Sequence, residues 1–304
     1  MPIVAANGID IAYDEMGDPK APAILLIMGL GTQLIAWPDA FCLALAHRGF
    51  RVVRFDNRDI GLSTKIEKFA PVDLAGAFAR AIAGQSVEAP YTLNDMAADT
   101  VGLMDTLRIE RAHVVGASMG GMIAQIVAAT YADRTRSLTS IMSSSGDPGL
   151  PPSKPEAIAA LLSPRPSSAD SESIIREGIR ILRLIGSPGF PTSDAELRAK
   201  VERAADRSYY PPGVGRHLLA VLASGSRVEL LRTIKVPALV IHGADDPLVP
   251  VEAGKDTARH IPGAALKVIP GMGHDLANDL IPILTEAIAD HCLAADGIKA
   301  AAVL

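Results

Sequence analysis

"VVGASMGGM", residues 114–122, sets a serine between glycines directly after a run of apolar β-formers. Two readings compete for Ser118. It is either a nucleophile held on a strained strand-to-helix turn, or an ordinary polar residue in a tight connection. Chance supplies G-x-S-x-G in roughly one chain in ten of this length at average glycine and serine usage. The surrounding chain has to decide.

On both sides of the stretch, short β-like runs alternate with helical patterns, which predicts βαβ units and a mostly parallel sheet in an α/β fold. "IDIAYDEMG" (9–17) alternates with period two and reads as an edge hairpin strand. "AILLIM" (23–28) is a buried strand, residues 38–48 a helix opening at Pro38, and "FRVVRFD" (50–56) another strand. Thr92 to Asp95 form a capping-box-like start for an amphipathic helix running to Leu107. "AHVVGAS" is the next strand, "MGGMIAQIVAATYA" its helix, and "RSLTSIMSS" (136–144) a strand again. The alternation then breaks, since ten of the 22 prolines fall between Pro148 and Pro212. Within this stretch 174–185 is helical, with Arg176, Arg180 and Arg183 on one face, and a second helical pattern spans about 194–206. Residues 146–230 are therefore predicted to be an inserted helical cap (lid), and 1–145 with 231–304 the core. The alternation resumes with a strand at 236–243, a helix near 251–260, a strand at 265–270 and a last helix near 279–293. The tail "DGIKAAAVL" reads as frayed.

Composition narrows the function. A chain of 304 residues, 49% hydrophobic, can bury a large core. A net charge of −5 with no dense Lys/Arg run argues against nucleic acid or an anionic membrane as partner. The start lacks a basic region followed by an apolar stretch, and the longest apolar run is far too short to span a bilayer. Cys42 and Cys292 read as reduced core residues in a cytoplasmic protein. No H-x-H or H-E-x-x-H pattern suggests a metal, and no cofactor is expected: there is no Walker A sequence, and "GLGTQL" lacks the third glycine of a dinucleotide fingerprint. Oligomeric state is not readable.

If Ser118 is a nucleophile, it needs a base, a carboxylate to orient that base, and donors for the oxyanion of a tetrahedral intermediate. On a parallel sheet these belong in loops outside the carboxyl ends of strands. "ALVIHG" ends in "GADDPLVP" (243–250), which puts Asp245 and Asp246 there, and "LKVIP" ends in "GMGHD" (271–275), which puts His274 at the same edge. The order Ser, Asp, His is that of a nucleophile elbow on an α/β-hydrolase sheet. Asp246 is the favoured acid and Asp245 a helper or turn former, while the plainer reading gives both to turn chemistry. For His274 the plainer reading is a surface histidine in a glycine-rich loop. His242 reads as a packed residue near the site, and His217 as part of the cap. One oxyanion donor is the backbone N–H of Met119, after the nucleophile; the other is assigned to Leu30, in the loop after "AILLI".

With these motifs in place the chain resembles the α/β-hydrolase superfamily over nearly its whole length, through "LLIMGLG", "VVRFDNRDIGLS", "VVGASMGG", "LVIHGADDPLVP" and "IPGMGH". "MGLG" with "WPDAF" and "FDNRDIGLST" is similar to the branch containing aclacinomycin methylesterase. The resemblance implies a serine carboxylic-ester hydrolase with a helical cap, carrying Ser118, Asp246 and His274 as triad and the amides of Leu30 and Met119 as oxyanion donors. Many relatives have His-Gly where this chain has Met28-Gly29, so that histidine's role in organising the loop is absent. Asp56, Arg58 and Asp59 are read as one structural network fixing the loop beside the oxyanion hole.

The predicted reaction is hydrolysis of a small to medium apolar ester through an acyl-enzyme. C–C bond hydrolysis of ring-cleavage products, lactone hydrolysis and perhydrolysis need the same triad. A non-catalytic ligand-binding protein on this fold is a further alternative. Phe190, Tyr209 and Tyr210, with the leucines and isoleucines of the cap, suit an apolar substrate group.

Overall fold

β3 (Ala23–Ile27) shows how the sheet divides the core, because all five of its residues are buried and successive side chains face opposite ways. Leu25 and Ile27 join one apolar cluster with Val53, Val114 and Ile123, whereas Ile24 and Leu26 join another with Phe41, Val52, Val115 and Ile288. A strand buried on both faces is the mark of a parallel sheet covered by helices. The computed structural model describes residues 1–67, 73–163, 165–166 and 170–298.

The eight-stranded sheet comprises β1 (Ile3–Ala6), β2 (Ile9–Met16), β3, β4 (Arg51–Phe55), β5 (Ala112–Ala117), β6 (Thr135–Ile141), β7 (Ala238–Gly243) and β8 (Ala265–Ile269). Its order is β1-β2-β4-β3-β5-β6-β7-β8. Among the described residues only the β1–β2 and β2–β4 pairings are antiparallel. The hairpin expected at 9–17 is present, but the sheet edge is β1, not β2. Asn7 and Gly8, both at positive φ (49° and 78°), form the tight turn that folds β1 onto it.

Helices α1 (Asp39–His47), α2 (Leu74–Ile82), α3 (Leu93–Thr106) and α4 (Met119–Thr130) lie in the first half of the chain. α3 starts as its sequence predicts: the Asp95 carboxylate accepts from the Thr92 N–H at 2.7 Å. Between β6 and β7 come α5 (Pro155–Leu162), α6 (Ser171–Ile185), α7 (Asp194–Arg207), α8 (Pro211–Ser224) and α9 (Val228–Leu231). α10 (Val251–His260) follows β7 and α11 (Ile281–Ala295) follows β8. α6 keeps Ile174 and Ile175 buried and its three arginines exposed. Asp296, in the tail read as frayed, is tied to Arg136 at 2.9 Å and to His113 at 3.3 Å. Residues 299–304 of that tail lie outside the described residues.

Cys42 and Cys292 are free and buried, and burial pushes both thiols up to about 12. Among the described residues no helix is long and apolar enough to cross a membrane.

Candidate active site

β5 delivers its chain into α4 through one residue, Ser118, whose backbone stands at φ 56°, ψ −122°. A non-glycine residue held there costs about 1–3 kcal/mol, so the surroundings have to impose it. They do so by backbone contact. A Cβ on Gly116 would lie 2.0 Å from the Gly120 carbonyl oxygen, and one on Gly120 would lie 2.1 Å from that of Ile27. The Ser118 N–H donates to Ile141 O at 2.9 Å, and its carbonyl accepts from Gly121 N–H at 2.9 Å and Ser143 Oγ at 2.8 Å. Ser118 itself is half-buried while its neighbours Ala117 and Met119 are buried.

The loops after β7 and β8 come to this serine. Asp246 Oδ1 accepts the N–H groups of Leu248 and Val249, at 2.9 and 2.8 Å, leaving Oδ2 for His274 Nδ1 at 2.7 Å. The other ring nitrogen, Nε2, lies 2.9 Å from Ser118 Oγ. A carboxylate accepts only, so Nδ1 carries the proton and Nε2 is free to accept from the serine hydroxyl. Asp245 takes a different part, its Oδ2 accepting the Gly271 N–H at 2.8 Å and so pinning the loop after β7 to the loop after β8. The His274 N–H donates to Ile185 O at 2.7 Å, and the Gly273 N–H to Ser187 Oγ at 2.9 Å. The loop after β8 thus rests on the end of α6.

His242 is fully buried, with Nε2 donating to Val249 O at 2.8 Å and 3.7 Å from Asp246 Oδ2. Burial lowers its pKa, which keeps a second positive charge away from the carboxylate.

Leu30 lies in the turn after β3, whose Gly29 abuts the serine: a Cβ there would be 3.0 Å from Ser118 Cβ. Among the described residues, neither Leu30 N–H nor Met119 N–H donates to another group of the chain. Both therefore remain available to a ligand.

The loop after β4 departs from its sequence reading. Asp56, Arg58 and Asp59 do not bond one another. Asp56 accepts from Leu34 N–H, Leu62 N–H and Arg207 of α7, and Asp59 from Ile66 N–H, Tyr91 Oη and Arg216 of α8. Arg58 pairs with Asp99 of α3 at 2.6 Å. Asn57 Nδ2 donates to Met28 O at 2.9 Å, which links this loop to the turn after β3. Sequence reasoning missed Arg207, Arg216 and His217, whose bonds to Asp56, Asp59, Arg58 and Gly31 span 151 to 186 residues.

Phe190, Tyr209 and Tyr210, read as suiting an apolar substrate group, each have partners within the chain. Tyr209 Oη donates to Pro166 O at 2.8 Å, Tyr210 lies under Arg216, and Phe190 packs on the cluster around Ile269. Two clefts of about 470 and 500 Å³ lie beside Asn7 and beside Pro282, neither of them lined by Ser118. Among the described residues no group of three or more His, Cys, Asp or Glu could hold a metal ion.

A strained serine after β5, with a carboxylate after β7 and an imidazole after β8 at the same sheet edge, is the arrangement expected of an α/β-hydrolase fold. The alpha/beta hydrolase fold family matches residues 22–277, and the chain belongs to that family. It is 28% identical to rhodomycin D methylesterase DauP of Streptomyces sp. (strain C5), over 96% of this chain and 98% of that one. The enol-lactonase of Burkholderia xenovorans LB400 superposes with a TM-score of 0.70 at 26% identity, covering 95% of this chain and 99% of that one. The meta-cleavage product hydrolase CumD of Pseudomonas fluorescens IP01 gives 0.76 at 21% identity, covering 97% and 98%, a likeness of fold.

Proposed function

We propose that the protein is a serine carboxylic-ester hydrolase. The observation that carries the reading is the two-bond chain from Ser118 Oγ to His274 Nε2, 2.9 Å, and from His274 Nδ1 to Asp246 Oδ2, 2.7 Å. In this reading His274 takes the hydroxyl proton as Ser118 attacks the ester carbonyl. Asp246 stabilises the imidazolium, and the amides of Leu30 and Met119 receive the oxyanion. The alcohol leaves with the proton from His274, and water is then activated by the same ring to release the acid. The methylesterase relative supports an ester as substrate. We read residues 146–230 as a cap over this site and the free, buried cysteines as suited to a reducing, cytoplasmic setting.

Ser118→Ala should lower kcat/KM for p-nitrophenyl esters by about 10⁴-fold or more and abolish labelling by a fluorophosphonate. An active, labelled variant would refute the assignment. A second reading, lactone hydrolysis, is favoured by the likeness to the enol-lactonase. A lactone is a cyclic ester and needs the same steps, so a panel of open esters and lactones ranked by kcat/KM separates the two.

A further inference from the structure

Gly29 to Thr32 form a β-turn closed by Thr32 N–H to Gly29 O at 3.3 Å, with Gly31 at φ +69°. Positive φ at the third residue is type II geometry, in which the central peptide is flipped relative to the commoner type I turn. That peptide carries the Gly31 N–H, which donates to His217 Nδ1 at 3.2 Å. The opposite ring nitrogen, Nε2, donates to the Arg58 carbonyl at 2.7 Å. Together the two bonds place the ring proton on Nε2. Burial pushes the ring pKa down to about 4, so near neutral pH Nδ1 keeps its lone pair.

His217 belongs to α8, which presses on the same two loops at other points. A Cβ on Gly31 would stand 3.1 Å from the methyl carbons of Val214, and Arg216 grips Asp59 at 2.7 Å. α8 therefore ties the turn after β3 to the loop after β4. One residue before Gly31, the Leu30 N–H is uncommitted, in a turn that starts against Ser118.

We propose that His217 is a positioning residue for acyl transfer: by holding the Gly31 N–H it keeps the 29–32 turn in the form that sets Leu30 N–H for an oxyanion on the group bound to Ser118. This rests on the reading of Leu30 as an oxyanion donor given above. His217 touches no reacting atom. Its bond to Arg58 O anchors the ring, and its bond to Gly31 does the positioning.

The two bonds can be separated. His217→Asn keeps an acceptor near the position of Nδ1 and loses the donor to Arg58, whereas His217→Gln keeps a donor near Nε2 and loses the acceptor for Gly31. For p-nitrophenyl ester hydrolysis, H217Q should lose about 10- to 100-fold in kcat with KM within about twofold, because the oxyanion exists only in the transition state. H217N should keep kcat within about threefold. Each variant gives up one buried hydrogen bond, so a merely structural role would lower kcat alike in both, in step with thermal stability. Equal kcat values, or a loss confined to KM, overturn the proposal. Ser118→Ala distinguishes the two levels. If hydrolysis survives it, the triad reading has failed; if hydrolysis stops and H217N matches H217Q, only the positioning role has failed. Should either His217 variant not fold, ¹⁵N NMR of the native protein decides. An Nε2–H tautomer from about pH 6 to 8 with a protected Gly31 amide supports the proposal, and a charged or Nδ1–H ring overturns it.

Discussion

The loops after β7 and β4 both end parallel strands in carboxylates with fully buried side chains, Asp246 and Asp59. Asp246 takes two backbone N–H groups from its own loop and Asp59 takes one together with the Tyr91 hydroxyl, and each then pairs with a nitrogen base. For Asp246 the partner is the His274 imidazole, at 2.7 Å. For Asp59 it is Arg216, whose charge is permanent. The difference separates two uses of a buried carboxylate. Beside an imidazole, its charge can be shared with a moving proton; beside a guanidinium, the charge is fixed and the pair becomes a clamp between sheet and inserted helices.

Substitutions at the two loops should break this comparison cleanly. The largest effect is expected at Asp246: D246N should lower kcat for ester hydrolysis about 10³- to 10⁴-fold, by favouring the wrong His274 tautomer. Its thermal midpoint should move far less than its rate, and a rate near that of the native protein would break the parallel. Arg216→Met should do the reverse. It leaves Asp59 charged and buried with only Tyr91 and the Ile66 amide, at a cost of about 3–5 kcal/mol in denaturant unfolding. Activity per folded molecule should fall much less than in D246N. Both effects exceed what either loop's sequence announces.

That contrast also marks what the sequence could tell. The alternation of strands and helices was legible because a buried parallel strand such as β3 is a short, uninterrupted apolar run. Ser118, Asp246 and His274 were legible as candidates because each comes a few residues after a strand, close to a glycine that marks the turn. α8 was not. Its opening, "PPGVG", reads as loop punctuation, yet prolines fit the first helical turn, and burial of Leu218, Leu219 and Ala220 carries the rest. Nor could Arg58 be separated from its neighbouring aspartates, since its partner Asp99 lies on another element. Local patterns report local bonds; the clamp consists of pairs more than 150 residues apart in the chain.

A smaller effect concerns pH. Burial pushes His113 and His217 down to about 4. The unfolded chain takes up these protons below about pH 6.5, whereas the folded protein resists until near 4, so their stabilising contribution is full above that window and is lost on descending through it. Thermal midpoints measured from neutrality downward should fall across this range, and H217N should flatten the slope. Asp59 acts lower. Against the cost of burial, its bonds with Arg216, Tyr91 and the Ile66 amide hold its carboxyl below the ordinary value, so its share disappears only as pH falls through that lowered value. The smallest effect is expected at Arg198, paired with Glu172 on the exposed faces of α7 and α6. Arg198→Gln should leave both the unfolding midpoint and kcat almost untouched, which sets the scale for an ion pair with no loop to clamp.

The strand order has a consequence for synthesis. From β5 to β8 each new strand is laid beside the one before it, and Ser118 meets His274 only across 156 residues. A chain emerging from the ribosome can therefore build the elbow long before it holds a base. Until the last quarter has been made, the Ser118 hydroxyl has no imidazole beside it.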